Sequence, residues 1–261
     1  MIFEPGILGP AGYLLGNDFR SWYHSFQTQV NKRFSKGLTV LGAYTLSKSI
    51  DSSSTDNLGA TVANPFNLRD ERGRSDWDRR HAFVASWLYT LPIKFQNPFA
   101  NSMLGGWTLT GIHTIQSGTP LTSLQGDDVA LDGTFGDQHA MLKDGVTVKD
   151  IVPSHSSRAD MVAKFFNTDA FVPTNDVPRG VYGNAGRGLI SGPAASNTDF
   201  SVLKDFAVRE AFKVQFRSEF FNAFNQVNFT SVSTRVNAGA FGKIRRADDG
   251  RVIQFGLKLR W

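Results

Sequence analysis

The chain has 261 residues, of which 41% are hydrophobic, with 22 Phe and 5 Trp, and its formal net charge is +5. This composition can bury a large surface and excludes an intrinsically disordered protein, while the modest, scattered positive charge argues against a nucleic-acid partner. The absence of cysteine excludes disulfides, thiolate chemistry and cysteine zinc sites.

The first 19 residues are predicted to be an irregular segment, since Pro5, Gly6, Gly9 and Pro10 interrupt them. They have no basic region and do not match a secretion signal, so an export signal is expected on polypeptide outside this chain. Residues 20–261 are predicted to form one all-β domain. No apolar run in it approaches the ~18–20 residues of a membrane helix.

Seven strands are predicted in this domain, because apolar and polar side chains alternate with a period of two. Their approximate ranges are 21–34, 38–48, 80–91, 107–124, 198–206, 212–224 and 251–261. A Gly-Thr-Pro break at 118–120 predicts a bulge or kink in the fourth strand. Long polar loops at 49–79, 125–197 and 225–250 alternate with shorter connections, as is typical of an outer-membrane barrel and not of a compact soluble domain. The loop at 125–197 is the longest and is predicted to be irregular.

The last strand is the most informative one. Five apolar residues lie on one side of it: Ile253, Phe255, Leu257, Leu259 and Trp261. Such a strand fits a soluble sandwich, with the apolar face in a core, or a membrane barrel, with that face in lipid. The spacing of Gln254, Gly256, Leu259 and Trp261 resembles the C-terminal assembly signal of bacterial outer-membrane proteins. That resemblance implies the barrel-assembly machinery as a partner; an ordinary edge strand is the alternative.

Aromatic side chains gather near the predicted strand ends, where their apolar bodies and polar edges favour a membrane interface. The ends joined by shorter connections carry Phe34, Tyr89, Trp107, Phe206, Phe212 and Trp261, and the opposite ends carry Trp22, Tyr23 and Phe224. These positions predict contact with outer-membrane lipid. Seven strands cannot close a bacterial single-chain barrel, which needs an even number from eight upward, so an antiparallel barrel segment, incomplete by itself, is expected.

Several stretches resemble the barrel region of TonB-dependent outer-membrane transporters, specifically the Oar-like group. They are VNKRFSKGLTV (30–40), YTLSK (44–48), DRRHAFVAS (78–86), GNAGR (183–187), NTDFSVLK (197–204) and FRSEFFNAFN (216–225). The resemblance covers residues 18–261 and implies the C-terminal third or so of a barrel of about 22 strands with a plugged lumen. It also implies remaining barrel strands, a plug and a TonB-coupling segment N-terminal to this chain, without which the chain is expected to be inactive.

Other chemistry is weakly supported. Asp78, Arg79, Arg80 and His81 are interpreted as charges flanking the outer end of the third strand. Four aspartates, Asp127, Asp128, Asp132 and Asp137, lack the EF-hand spacing and are interpreted as a solvated loop. The glycine-rich run at 183–188 has no Walker lysine. Arg217 and Glu219 point the same way and are expected to form lumenal ion pairs with Lys258 or Arg260.

No GxSxG or HExxH motif occurs, so no enzyme is predicted, and neither a cofactor nor a metal is assigned. The sequence thus predicts part of a bacterial outer-membrane receptor for substrate uptake, with specificity in the three long loops. A secreted all-β binding module or adhesin is the alternative. Strand length separates the two, since membrane strands need ~9–11 residues and soluble strands average ~5–6.

Overall fold

A computed structural model describes residues 19–34, 36–54, 62–133, 138–152, 155–209 and 212–261. The strands are β1 (Ser21–Arg33), β2 (Leu38–Asp51), β3 (Gly73–Arg74), β4 (His81–Thr90), β5 (Trp107–Gln116), β6 (Pro120–Leu121), β7 (Ile190–Ser191), β8 (Ala195–Ala207), β9 (Lys213–Phe221), β10 (Phe229–Val232), β11 (Ile244–Ala247) and β12 (Val252–Arg260). The helices are α1 (Pro98–Leu104), α2 (Val148–Ile151) and α3 (Arg158–Ala163), with 3-10 turns at Leu68–Glu71, Thr168–Ala170 and Thr174–Asp176. Among the described residues, no helix has the length and apolarity needed to cross a membrane.

One antiparallel sheet dominates the chain. Its strands follow the order β1-β2-β4-β5-β8-β9-β12, β3 pairs with β2 beside this path, and β1 and β12 are its two edges. The seven strands on the path have 13, 14, 10, 10, 13, 9 and 9 residues, each at least as long as the shortest membrane strand. The predicted all-β, antiparallel fold with seven long strands is confirmed.

The connections separate the two ends of the sheet. Residues 34–37, 91–106 and 208–212 join strands at one end, which we call the turn end. Residues 52–80, 117–194 and 222–251 join strands at the opposite end, which we call the cap end. The predicted alternation of shorter and longer connections is therefore present.

Two parts of the sequence interpretation were wrong. The fourth strand ends at Gln116 instead of reaching Leu124, and only β6 continues beyond it. The chain passes so close to residues 192 and 193 that a Cβ at Gly118 would lie 1.9 Å from the Gly192 carbonyl oxygen. The region 125–197 is not irregular, because it contains α2, α3 and β7, and the polar loop at 225–250 contains the β10–β11 hairpin.

Strand register gives the sheet two distinct faces. On β12, Phe255 and Leu257 lie opposite Ser218 and Phe216 of β9 on the apolar face. Their side chains are 68% and 72% exposed, so no second layer formed by the described residues covers them. A soluble sandwich would bury this face, whereas a membrane strand presents it to lipid.

The opposite, polar face is concave. Six neighbouring strands, from β1 to β9, contribute side chains to one groove of about 490 Å³ on this face. The lining is mixed, with Asn31, Ser86 and Asp199 beside Leu41 and Ile112. A curled sheet with a mainly polar inside and an apolar outside is the arrangement of a barrel wall.

Candidate functional site

The three long connections fold together at the cap end, and we refer to residues 52–80, 117–194 and 222–251 as the cap. The buried hydrophobic cluster of the described residues lies here, not between sheet layers: Ala140, Ile151, Phe165, Phe166, Ala170, Phe171, Ala185, Ile190, Val232 and Ile244. None of its members belongs to the seven strands of the sheet path. The cap therefore has its own core, as a separately folded unit requires.

Three phenylalanine rings form the centre of that core. The rings of Phe166, Phe171 and Phe241 contact one another edge to face, with centroid distances of 5.2–5.8 Å. Phe166 is fully buried. Such pairs contribute packing energy beyond the apolar area that they bury. These aromatic contacts fix the connection 117–194 against the connection 222–251.

Backbone hydrogen bonds join the same two connections. The amide of Leu124 donates to the Thr234 carbonyl at 3.0 Å, and the amide of Val236 donates back to the Leu124 carbonyl at 2.9 Å. The amide of Phe165 donates to the Gly242 carbonyl at 2.7 Å. Because these bonds link residues far apart in sequence, they could not be read from local patterns.

Arg187 joins the remaining connection, residues 52–80, to the other two. Its guanidinium makes an ion pair with the carboxylate of Asp51 at the end of β2, and both side chains are buried. The same group donates to the Ser54 hydroxyl and, at 3.3 Å, to the Glu71 carbonyl. Because both side chains are buried, removing either charge would leave the other unpaired and destabilise the fold. Arg187 thus connects residues 117–194 to residues 52–80.

A second buried carboxylate supports this junction. Asp78 accepts from the Ser49 amide at 2.7 Å and from the Arg74 guanidinium at 3.1 Å. Arg74 also donates to the Ser191 hydroxyl at 2.8 Å. Asp78, interpreted as one of the charges flanking the outer end of the third strand, lies just before β4, and its side chain is buried and paired there. Nearby, a ring nitrogen of His81 lies 2.8 Å from the Tyr44 hydroxyl.

The aspartates predicted to lie in a solvated loop are organised by hydrogen bonds. Asp128 accepts from the amides of Asp132 and Gly133 and from the Gln138 side chain, at 2.9–3.1 Å. The Tyr182 hydroxyl donates to Asp132 at 2.7 Å, and burial together with this carboxylate raises the pKa of Tyr182. Asp137 lies outside the described residues. Across the described ranges, no three His, Cys, Asp or Glu side chains converge as metal ligands.

The glycine-rich run at 183–188 has a packing role in this structure. A Cβ at Gly183 would lie 2.0 Å from the His139 carbonyl oxygen, so only glycine allows this close backbone approach. The Ala185 amide donates to the Ala140 carbonyl at 2.9 Å, and Arg187 makes the buried ion pair described above. These contacts join two segments of the cap.

On the polar face, the predicted ion pairs are corrected. Arg217 and Glu219 pair with each other at 2.8 Å, not with Lys258 or Arg260. Register explains the difference, since Gly256 stands opposite Arg217 and Gln254 stands opposite Glu219. Residues two apart on one strand point to the same face, so a neighbour along the strand was the nearer partner.

The residues of the predicted assembly signal lie on both faces of the edge strand. Gln254 and Gly256 are on the polar face, Leu259 is opposite Val214 on the apolar face, and the exposed Trp261 follows the strand. Their role in barrel assembly stays a prediction.

The predicted interfacial aromatics fall at the two ends of the sheet. At the turn end lie Phe34, Tyr89, Trp107, Phe206, Phe212 and Trp261. Trp22 lies at the cap end of β1, where the Arg72 guanidinium is 5.1 Å from its ring centroid, and exposed Phe224 follows β9. Tyr23 is also at the cap end, but it stands opposite Ser49 on the polar face. Contact of these side chains with lipid remains a prediction.

Sequence reasoning missed the residues that hold the cap together. Asp51 and Arg187 are 136 positions apart, and neither stands in a recognisable ion-pair pattern. Phe165 and Phe166 form the strongest apolar signal within the predicted irregular loop, and Phe171 follows five residues later. That aromatic concentration was the one local sign of a core there.

Acidic pH is expected to loosen the cap through His139. Burial lowers the pKa of His139 below its ordinary value of 6.5, partly offset by the nearby Glu71 carboxylate. The opened cap therefore binds the proton more tightly, so stability present above pH 6.5 is lost as the pH falls below that value. Amide exchange of cap residues, corrected for intrinsic rates, should report this loosening.

A matched pair of variants isolates that effect. His139→Gln should flatten the pH dependence between neutral and mildly acidic conditions, whereas His24→Gln, at an exposed position of β1 outside the cap, should leave it unchanged. Burial also raises the pKa of Asp76, but from 3.8, so it acts at more acidic pH and with the opposite sign. An unchanged pH profile in His139→Gln would contradict the assignment.

Comparison with known proteins places these features in a family. A family model described as Outer membrane beta barrel domain matches residues 11–254, which includes the whole sheet except residues 255–260 of β12. No curated protein and no solved structure matches the chain. The match agrees with long antiparallel strands that carry an exposed apolar face and a concave polar face. The chain therefore belongs to the outer membrane beta barrel domain family and is a protein of the bacterial outer membrane.

Proposed function

We propose that the chain forms part of the barrel wall and the cell-surface cap of a TonB-dependent, Oar-like receptor, which takes up a substrate. The observation that carries the proposal is the folded cap. Connections that merely join strands need no hydrophobic core, whereas these contain the buried apolar cluster of the described residues. Ordered loops on a rigid scaffold are the usual position of recognition surfaces. The six stretches that resemble Oar-like receptors also support this family among outer-membrane barrels.

The concave polar face fits the same proposal. Its lining from Asn31 to Asp199 offers hydrogen-bonding groups beside apolar side chains, as a wall facing a protein plug requires. In the proposed receptor, the further barrel strands, the plug and the TonB-binding segment belong to polypeptide N-terminal to these strands. TonB would act only through that segment, not through the residues described here.

The coding sequence and TonB binding test the proposal together. An open reading frame that continues upstream into a plug region is expected. The protein extracted from outer membranes should then bind the purified periplasmic domain of TonB, and deletion of the N-terminal coupling segment should abolish that binding. A stop codon followed by a separate export signal, or an intact protein that does not bind TonB, would favour an outer-membrane adhesin instead.

A further inference from the structure

The connection between β4 and β5 exposes an unusual amount of apolar surface. Five large apolar side chains within twelve residues are exposed: Ile93, Phe95, Phe99, Met103 and Leu104. Phe99 is 73% exposed, and α1 buries none of its seven residues. A short helix in water would normally turn such residues toward the protein.

The apolar side of α1 faces away from the protein, and its polar side faces the protein. At 3.6 residues per turn, Phe99, Met103 and Leu104 span an arc of about 140° of the helix circumference. Asn101 lies opposite this arc, and Ser102 lies outside it, about 60° beyond Phe99. The Asn101 side chain accepts from the Phe95 amide at 3.0 Å, so its polar group turns into its own connection. The apolar side is consequently left facing away from the chain.

The helix is nevertheless held in a fixed conformation. The Asn97 side chain accepts from the amides of Phe99 and Ala100, and Pro98 occupies the first turn, where its fixed φ favours helix formation. The exposed apolar side is therefore presented by an ordered, capped element.

The position of α1 relates it to the outer face of the sheet. The indole nitrogen of Trp107 donates to the Met103 carbonyl at 3.1 Å, and the ammonium of Lys204 donates to the Gly105 carbonyl. Trp107 and Lys204 are paired across β5 and β8 and lie on the apolar face. The Trp107 ring also contacts Phe216 on that face, with 6.3 Å between centroids. The end of α1 is thus fastened to the lipid-facing side, at the turn end.

We propose that α1 is an interfacial anchor that inserts its apolar side into the inner, phospholipid leaflet of the outer membrane. The occupant follows from continuity, since the exposed side chains extend the lipid-facing surface beyond the ends of β4 and β5. Helices that lie in a membrane interface combine such an apolar side with a polar side and nearby basic groups. Lys94, which is exposed within the connection, supplies a basic group here.

The absence of cysteine from the chain allows a direct test. Phe99→Cys and Met103→Cys would each be labelled with an environment-sensitive nitrobenzoxadiazole fluorophore in the full protein. The labelled protein would be reconstituted in vesicles of phosphatidylethanolamine and phosphatidylglycerol. Ser102→Cys is the matched control outside the apolar arc, and Leu257→Cys is the reference for the lipid-facing sheet. Heat modifiability in gel electrophoresis would verify that each variant is folded.

Labels at 99 and 103 are expected to emit at shorter wavelength than the label at 102. A nitroxide near the glycerol end of the lipid acyl chain should quench them several-fold more strongly than the control, as at 257. Equal quenching of all three α1 labels by aqueous iodide, with none by the nitroxide, would overturn the proposal in favour of an exposed helix. Blue-shifted emission without nitroxide quenching would overturn it in favour of a protein partner.

Discussion

Replacement of Arg187 by alanine is expected to open the junction between two connections of the cap. The variant leaves the buried Asp51 carboxylate without its ion-pair partner, and breaking such a pair costs about 3–5 kcal/mol. The Ser54 hydroxyl and the Glu71 carbonyl also lose their donor. Amide hydrogen exchange within residues 62–80 and 183–191 should accelerate by roughly two to four powers of ten, if exchange follows local opening.

Two comparisons give this prediction its control. Arg179 makes an exposed pair with Asp127 at 3.7 Å, so Arg179→Ala should change cap stability by less than about 1 kcal/mol. Combining Arg187→Ala with Asp51→Asn removes the uncompensated charge and should recover part of the loss. Unchanged exchange in Arg187→Ala, or a double variant less stable than the single one, would show that the pair does not hold the cap.

The sheet was predictable because its signal is periodic. In β9 and β12, apolar residues recur at every second position except at Ser218, and the observed register places them on the face that the sequence indicates. Strand ends were less well determined: β2 continues three residues beyond Lys48, and β8 begins three residues before Thr198. Polar residues at these ends do not interrupt a strand whose partners continue, so tertiary pairing outweighed the local signal.

The cap was not predictable by the same reasoning. Its elements have two to six residues, too few to show a helical or a strand period. Its stability rests on contacts such as Arg187 with Asp51 and Leu124 with Thr234, which join distant segments. A long stretch rich in Gly, Pro and Asp was therefore interpreted as irregular, although Phe165, Phe166 and Phe171 required burial somewhere.

Truncation of Phe166 to alanine should unfold the cap core while leaving the sheet intact. The ring is 0% exposed and contacts both Phe171 and Phe241, so its removal creates a cavity that its neighbours can fill only in part. Such a truncation costs about 3–5 kcal/mol. Protection of cap amides near Ile151 and Ile244 should fall, as measured by hydrogen exchange.

The same variant tests whether the cap is energetically separate from the barrel wall. Amides of β9 and β12 should keep their protection, because no residue of those strands belongs to the cap cluster. Phe66→Ala removes the same atoms from a cap position that is 85% exposed, and it should cost less than about 0.5 kcal/mol. If Phe166→Ala destabilised the sheet strands and the cap together, the two would form one cooperative unit. The surface loops could then not rearrange around a substrate independently of the wall that carries them.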